Sequence, residues 1–104
     1  MTKIEVCKVG DLEENAVKQV EIDDRPPLAV YNLGGKFYCT DDICTHGMAS
    51  MSDGDIEGED IVCPWHEGTF NIKTGEATGA PCTIPLKTYK AVIEGDTVFV
   101  ELPD

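Results

Sequence analysis

Between Phe37 and Ile72 this chain has no lysine or arginine, and in its whole length it has only two histidines, His46 and His66. Aromatic residues make up just 7% of it, so a chain of 104 residues has little bulk with which to fill a core. No apolar run approaches the roughly 20 residues that span a bilayer, and Met1-Thr2-Lys3-Ile4-Glu5 opens no stretch of signal-peptide length. The expected compartment is therefore the cytoplasm. Eight basic residues against twenty acidic ones give a net charge of −12, which excludes nucleic acid as a partner and disfavours anionic membrane surfaces. It favours a basic protein partner instead.

Five cysteines without a secretion signal argue against a disulfide framework. Cys7, Cys39 and Cys82 read as small buried hydrophobes, with Cys82 the least secure because it lies in a proline-containing loop. The length predicts one domain over residues 1–104, burying at best about two-thirds of its unfolded surface. A metal staple would help so small a core.

Ten glycines and six prolines fit an all-β chain of short strands between turns. Ile4–Val6 and Val17–Ile22 read as strands, with a helical turn over 10–14 capped by Asp11 between them. Leu28–Asn32 and Lys36–Thr40 form a hairpin through Leu33-Gly34-Gly35. Residues 41–60 read as irregular. Ile61–Cys63 and Thr69–Ile72 are short strands, Lys73-Thr74-Gly75 a tight turn and residues 78–82 a loop. Lys87–Glu94 and Thr97–Leu102 make a terminal hairpin, with Val98, Val100 and Leu102 on one face.

Both histidines belong to a repeated pattern. Cys44-Thr45-His46 is followed, after sixteen intervening residues, by Cys63-Pro64-Trp65-His66. Two thiolates and two imidazoles at short spacings suit a tetrahedral zinc or iron centre. Structural zinc sites more often pair like with like, whereas here each half is mixed. A strand cannot place residues three apart on one face, so Cys63 and His66 need a turn, which Pro64 helps to make. Gly47 and Gly68 each follow a histidine closely and would let the backbone approach inorganic atoms. Asp41, Asp42, Asp53, Asp55, Glu57, Glu59, Asp60 and Glu67 share the segment with both halves. They predict an acidic face around the site.

Cys44-Thr45-His46-Gly47 and Cys63-Pro64-Trp65-His66-Glu67-Gly68-Thr69-Phe70 resemble the two cluster-binding boxes of Rieske proteins, and Gly79-Ala80-Pro81 resembles the family's covering loop. Length and spacing are similar to those of the small Rieske ferredoxins that serve bacterial aromatic ring-hydroxylating dioxygenases. The resemblance implies the Rieske fold, a small antiparallel β-sandwich of short strands with two cluster-binding loops at one tip. It also implies one 2Fe–2S cluster, with Cys44 and Cys63 on one iron and His46 and His66 on the other. Two thiolates balance the 2+ core of an oxidised cluster. Replacing two further thiolates by neutral imidazoles removes negative charge and raises the potential above that of an all-cysteine ferredoxin.

The high-potential members of the family carry an additional cysteine in each box. The matching positions here are Ala49 and Trp65, so that disulfide is excluded. Those members also carry a serine and a tyrosine that donate hydrogen bonds to cluster sulfurs, where this chain has Gly68 and Phe70. Fewer donors imply a low-potential centre. Thr69, between the two, has a hydroxyl of its own.

The implied function is electron transfer without catalysis. A ferredoxin of this kind carries single electrons from an NADH-dependent flavoprotein reductase to a terminal aromatic-ring dioxygenase and is expected to be monomeric. An oxygenase would need a further iron site, commonly two histidines and a carboxylate, and no histidine remains for one. A small subunit of another redox enzyme, such as nitrite reductase, and a structural zinc-binding module are the alternatives. Met48, Trp65, Glu67 and Pro81 are the expected docking residues around the tip.

Overall fold

A computed structural model describes residues 2–23, 25–44, 49–64, 68–79 and 84–103. Ten strands account for most of the regular structure: β1 (Thr2–Lys8), β2 (Ala16–Val20), β3 (Leu28–Leu33), β4 (Lys36–Asp41), β5 (Asp55–Glu57), β6 (Asp60–Val62), β7 (Thr69–Asn71), β8 (Ala77–Gly79), β9 (Thr88–Glu94) and β10 (Thr97–Leu102). Single 3₁₀ turns cover Val9–Asp11 and Met51–Asp53. All pairings are antiparallel. A six-stranded sheet runs β1-β10-β9-β4-β3-β2, and a four-stranded sheet runs β5-β6-β7-β8. This is the antiparallel β architecture that the turn pattern and the resemblance implied.

The larger sheet explains itself through β3. Its residues alternate between two cores, as a period of two requires. Leu28 and Val30 join Cys7, Cys39, Val98, Val100 and Leu102. Ala29 and Tyr31 face the other way and join Met51, Ile61, Phe70, Ile72 and Leu86. Both end strands, β1 through Ile4 and Val6 and β2 through Ala16 and Val20, pack on the first core, so the sheet curls round it. The second core fills the space between this sheet and the smaller one. Cys7 and Cys39 are buried, as expected of small hydrophobes, and burial pushes the Cys39 thiol up to about 12.

Several local expectations are corrected. Asp11 is not the N-cap of its turn; Lys8 holds that place, and the Asp11 carboxylate reaches back to accept the Lys8 backbone N–H at 3.0 Å. The β3–β4 turn is the two residues Gly34 and Gly35 alone, because Leu33 still pairs with Lys36. Their φ values of +62° and +95° supply the left-handed backbone that a two-residue hairpin requires. Residues 41–60 are not wholly irregular: β5 pairs with β6 through Ile56 and Ile61. Residues 77–79, placed partly in a loop, add β8 to the edge of the smaller sheet. These strands are three residues each, too short to show periodicity.

Candidate metal centre

The two mixed half-sites begin where two ladders end. On the first, Met51 N–H donates to the Asp42 carbonyl at 2.6 Å, Ile43 bridges Ser50, and Cys44 N–H donates to the Ala49 carbonyl at 2.8 Å. On the second, Val62 pairs with Thr69, and Cys63 N–H donates to the Gly68 carbonyl at 2.7 Å. Each cysteine is thus the residue that closes its ladder, and each loop is pinned across the same five-residue step. The hydrogen bonds fix the cysteine backbones, and both side chains turn inward.

The inward turn brings the sulfurs together. Cys44 and Cys63 are both buried, with their Sγ atoms 3.4 Å apart. A disulfide would require about 2.05 Å. Two sulfurs each about 2.3 Å from one tetrahedral metal stand roughly 3.8 Å apart. The observed separation lies close to the second geometry and far from the first. The sulfur pair therefore fits one metal held between two loops. Among the described residues no group of three metal-ligating side chains is found. The sequence expects two histidines beside this pair. His46 and His66 lie outside the described residues, as do Gly47, Met48, Trp65, Glu67, Pro81 and Cys82.

The wall behind the sulfurs is apolar: Ala29, Ala49, Met51, Ile61, Phe70, Ile72 and Leu86 pack with the two cysteines in one core. Tyr31 is the exception. Its hydroxyl is 2.9 Å from Thr40 Oγ1, and since Thr40 donates to the Asp41 carbonyl, Tyr31 is the donor between them. Burial first, and then the Asp42 charge, raises the phenol above its ordinary value, so Tyr31 stays neutral.

Ala49 and Phe70 are buried in this wall, and Gly68 is buried at the base of the second loop. No side-chain hydroxyl or thiol stands at any of the three. The hydroxyl of Thr69 is engaged elsewhere. Thr78 Oγ1 donates to Asp60 Oδ2 at 3.2 Å, so the 2.8 Å contact between Thr69 and Thr78 uses the Thr69 proton. That single donor points to β8 rather than to a sulfur.

The acidic face is narrower than the sequence implies. Asp53, Asp55, Glu57 and Glu59 are exposed around the β5–β6 hairpin, with Glu59 also bonded to Lys73 Nζ at 2.9 Å. Asp60 is only partly exposed. Asp41 accepts from Tyr89 at 2.7 Å and pairs with Arg25 at 3.2 Å. Asp42 is wholly buried. Asp42 also carries a role that the sequence hides: its Oδ1 accepts Ser52 N–H at 2.9 Å, and its Oδ2 accepts from Gln19 Nε2 at 2.8 Å. The carboxylate thereby clamps the base of the first loop to β2. An acid between Thr40 and Ile43 gives no periodic signal for this.

Known proteins share this fold. The model of the Rieske [2Fe-2S] domain matches residues 2–90. The 3-phenylpropionate/cinnamic acid dioxygenase ferredoxin subunit of Escherichia coli (strain K12) is 43% identical over 105 aligned positions, covering 100% of this chain and 97% of that protein. The solved Sphingomonas yanoikuyae B1 ferredoxin superposes with a TM-score of 0.93 at 41% identity, over 98% of this chain and 100% of its own. A chain in the complex of reduced oxygenase and oxidized ferredoxin in carbazole 1,9a-dioxygenase gives a TM-score of 0.91 at 40% identity, over 94% and 91% of the two chains. A matching domain, near-complete coverage of ferredoxin components and a buried sulfur pair at two equal loops agree. The chain belongs to the Rieske family, as a ferredoxin that carries one Rieske-type 2Fe–2S cluster.

Proposed function

We propose that this protein delivers single electrons to the terminal oxygenase of an aromatic ring-hydroxylating dioxygenase system, receiving them from an NADH-dependent flavoprotein reductase. Cys44 and Cys63 hold one iron and His46 and His66 the other. The observation that carries this reading is the pair of buried sulfurs 3.4 Å apart at the mouths of two equally pinned loops. A 2Fe–2S cluster held there would supply one-electron transfer. The chain supplies the rest: an apolar wall behind the sulfurs and backbone hydrogen bonds that fix both cysteines. It is an electron carrier, like the ferredoxin components it resembles, and does not itself oxygenate.

Three features of the wall favour a low potential. Gly68 and Phe70 offer no side-chain donor, and the Thr69 hydroxyl is bonded to Thr78. A sulfur with fewer donors stabilises added negative charge less. A redox titration should place the couple toward the bottom of the roughly −150 to +300 mV Rieske range, and a value above about +100 mV would contradict it.

The relatives support the partner assignment, one of them being in a complex of oxygenase and ferredoxin. The exposed acids Asp53 and Asp55, at the end of the smaller sheet where β6 runs into Cys63, would steer a basic surface on the oxygenase toward the loops. Met48, Trp65, Glu67 and Pro81 are proposed to make the contact itself. Weak, fast encounters of this kind are sensitive to screening. Raising ionic strength from about 0.01 to 0.15 M shortens the Debye length from about 30 to 8 Å. Stopped-flow electron transfer to the oxygenase should slow several-fold over that range. Rates independent of salt would remove the acidic face from the mechanism.

A further inference from the structure

Among the described residues Asp42 is the one buried acidic side chain, with none of its surface exposed. Among the described residues no lysine or arginine forms an ion pair with it. Both its oxygens accept from uncharged donors, the Ser52 backbone N–H and the Gln19 side-chain amide. An acid kept from water without a counter-charge is costly to a fold. An asparagine could take up much of the same space, so packing alone does not call for the charge. Its position is informative. It stands two residues before Cys44, and two residues of extended chain span at most about 7 Å. It also follows closely on Thr40, whose hydroxyl is 2.9 Å from that of Tyr31, and Tyr31 packs in one core with Cys44 and Cys63.

We infer that the buried Asp42 carboxylate holds the reduction potential of the cluster down. Reduction adds one negative charge to the site. A fixed negative charge nearby, shielded by protein rather than water, opposes that addition and favours the oxidised form. A unit charge about 10 Å away in an effective dielectric of about 20 shifts the balance between the two states by roughly tenfold. The four exposed acids of the β5–β6 region, screened by solvent, have much less effect each. Asp42 is thus a positioning and tuning residue rather than a ligand, and it acts in the same direction as the missing sulfur donors.

This inference rests on Cys44 as a ligand, and the two fail differently: a wrong ligand assignment leaves Cys44→Ser with its cluster, whereas a wrong tuning assignment leaves Asp42→Asn with its cluster and an unmoved potential. The test is a redox titration of the cluster-loaded protein, followed by visible absorption and by EPR of the reduced form. Three variants are compared with the unaltered chain. Asp42→Asn keeps the shape and removes the charge. Gln19→Arg, at an exposed position beside Oδ2, neutralises the charge without altering the first loop. Asp53→Asn removes an exposed charge from the same region. Asp42→Asn should favour the reduced form about tenfold, a rise of about 59 mV for a one-electron couple, with the EPR signature of the ligands retained. Gln19→Arg should move it the same way by several-fold, and Asp53→Asn by less than twofold. Shifts in Asp42→Asn and Gln19→Arg no larger than that of Asp53→Asn would overturn the inference. If Asp42→Asn does not assemble its cluster, Gln19→Arg decides alone by the same criterion.

Discussion

Serine in place of Cys63 yields a protein without visible colour and without a reduced-state EPR signal. The expectation follows from the geometry at the mouth of the second loop. Cys63 is wholly buried, and its sulfur faces that of Cys44 at 3.4 Å. A serine oxygen at that place is a hard, weakly acidic ligand where a soft thiolate is needed. It also removes one of the two negative charges that balance the cluster core. The same change at Cys44 should have the same result, because the two loops are pinned alike. Metal binding contributes directly to folding when only the folded chain can hold it. Loss of the cluster should therefore lower the thermal midpoint as well as the colour. Iron and acid-labile sulfide analysis beside the EPR spectrum checks this. A Cys63→Ser protein retaining two irons and an unchanged signal would refute the ligand assignment.

Alanine in place of Gly75 destabilises the protein by about 3 kcal/mol or more, a magnitude reserved for backbone strain and core damage. Gly75 has φ +80°, where an L side chain is strained, and a Cβ there would lie 2.1 Å from the Leu86 carbonyl oxygen. That neighbour is backbone and cannot swing away. Gly75 also donates its N–H to Asn71 at 2.7 Å and accepts that of Leu86 at 2.7 Å. The turn after β7 is thereby tied to the segment that leads into β9. Leu86 packs in the same core as Cys44 and Cys63. Displacing it would open the wall behind the sulfurs, so the variant should also lose its cluster faster on heating. A melting experiment on the cluster-loaded protein should show a fall of roughly 12 °C or more. A fall under about 4 °C would mean that the turn relaxes without disturbing Leu86.

How much of this was legible in the residues depends on how each feature is encoded. The terminal hairpin was legible because Val98, Val100 and Leu102 alternate through a strand of six residues. The β3–β4 hairpin was legible because a Gly-Gly pair has few other uses between apolar runs. The two cysteines that meet in the core could be picked out because each is followed within three residues by one of the two histidines, and the family likeness added the cluster. The short strands β5 and β8 were not, since three residues give no period and their pairing is set by neighbours distant in sequence. Asp42 was hidden for a related reason. Its partners, Gln19 and Ser52, lie 23 and 10 residues away, and only the fold brings them together. The eight acids around the two boxes looked equivalent in sequence, yet one is buried, one is paired with Arg25, and four remain exposed at the β5–β6 hairpin.

The low potential we propose would have three sources in the chain itself. Two matched positions carry glycine and phenylalanine in place of donors, a nearby hydroxyl is held by its neighbour across the sheet, and a carboxylate is kept from water beside the first loop. Each acts on the balance between the oxidised and reduced cluster without changing its ligands. That separation suits a carrier, whose task is set by potential and contact rather than by bond making.

The most direct test of the central claim is the EPR spectrum of the chemically reduced protein, read with its visible absorption. Two thiolates and two imidazoles on a 2Fe–2S cluster predict a red-brown protein with a rhombic signal from one unpaired electron. Nitrogen couplings from His46 and His66 should be present, and alanine in place of either should abolish the cluster with its colour and signal. A colourless protein that binds one zinc and gives no signal would contradict the account at its root.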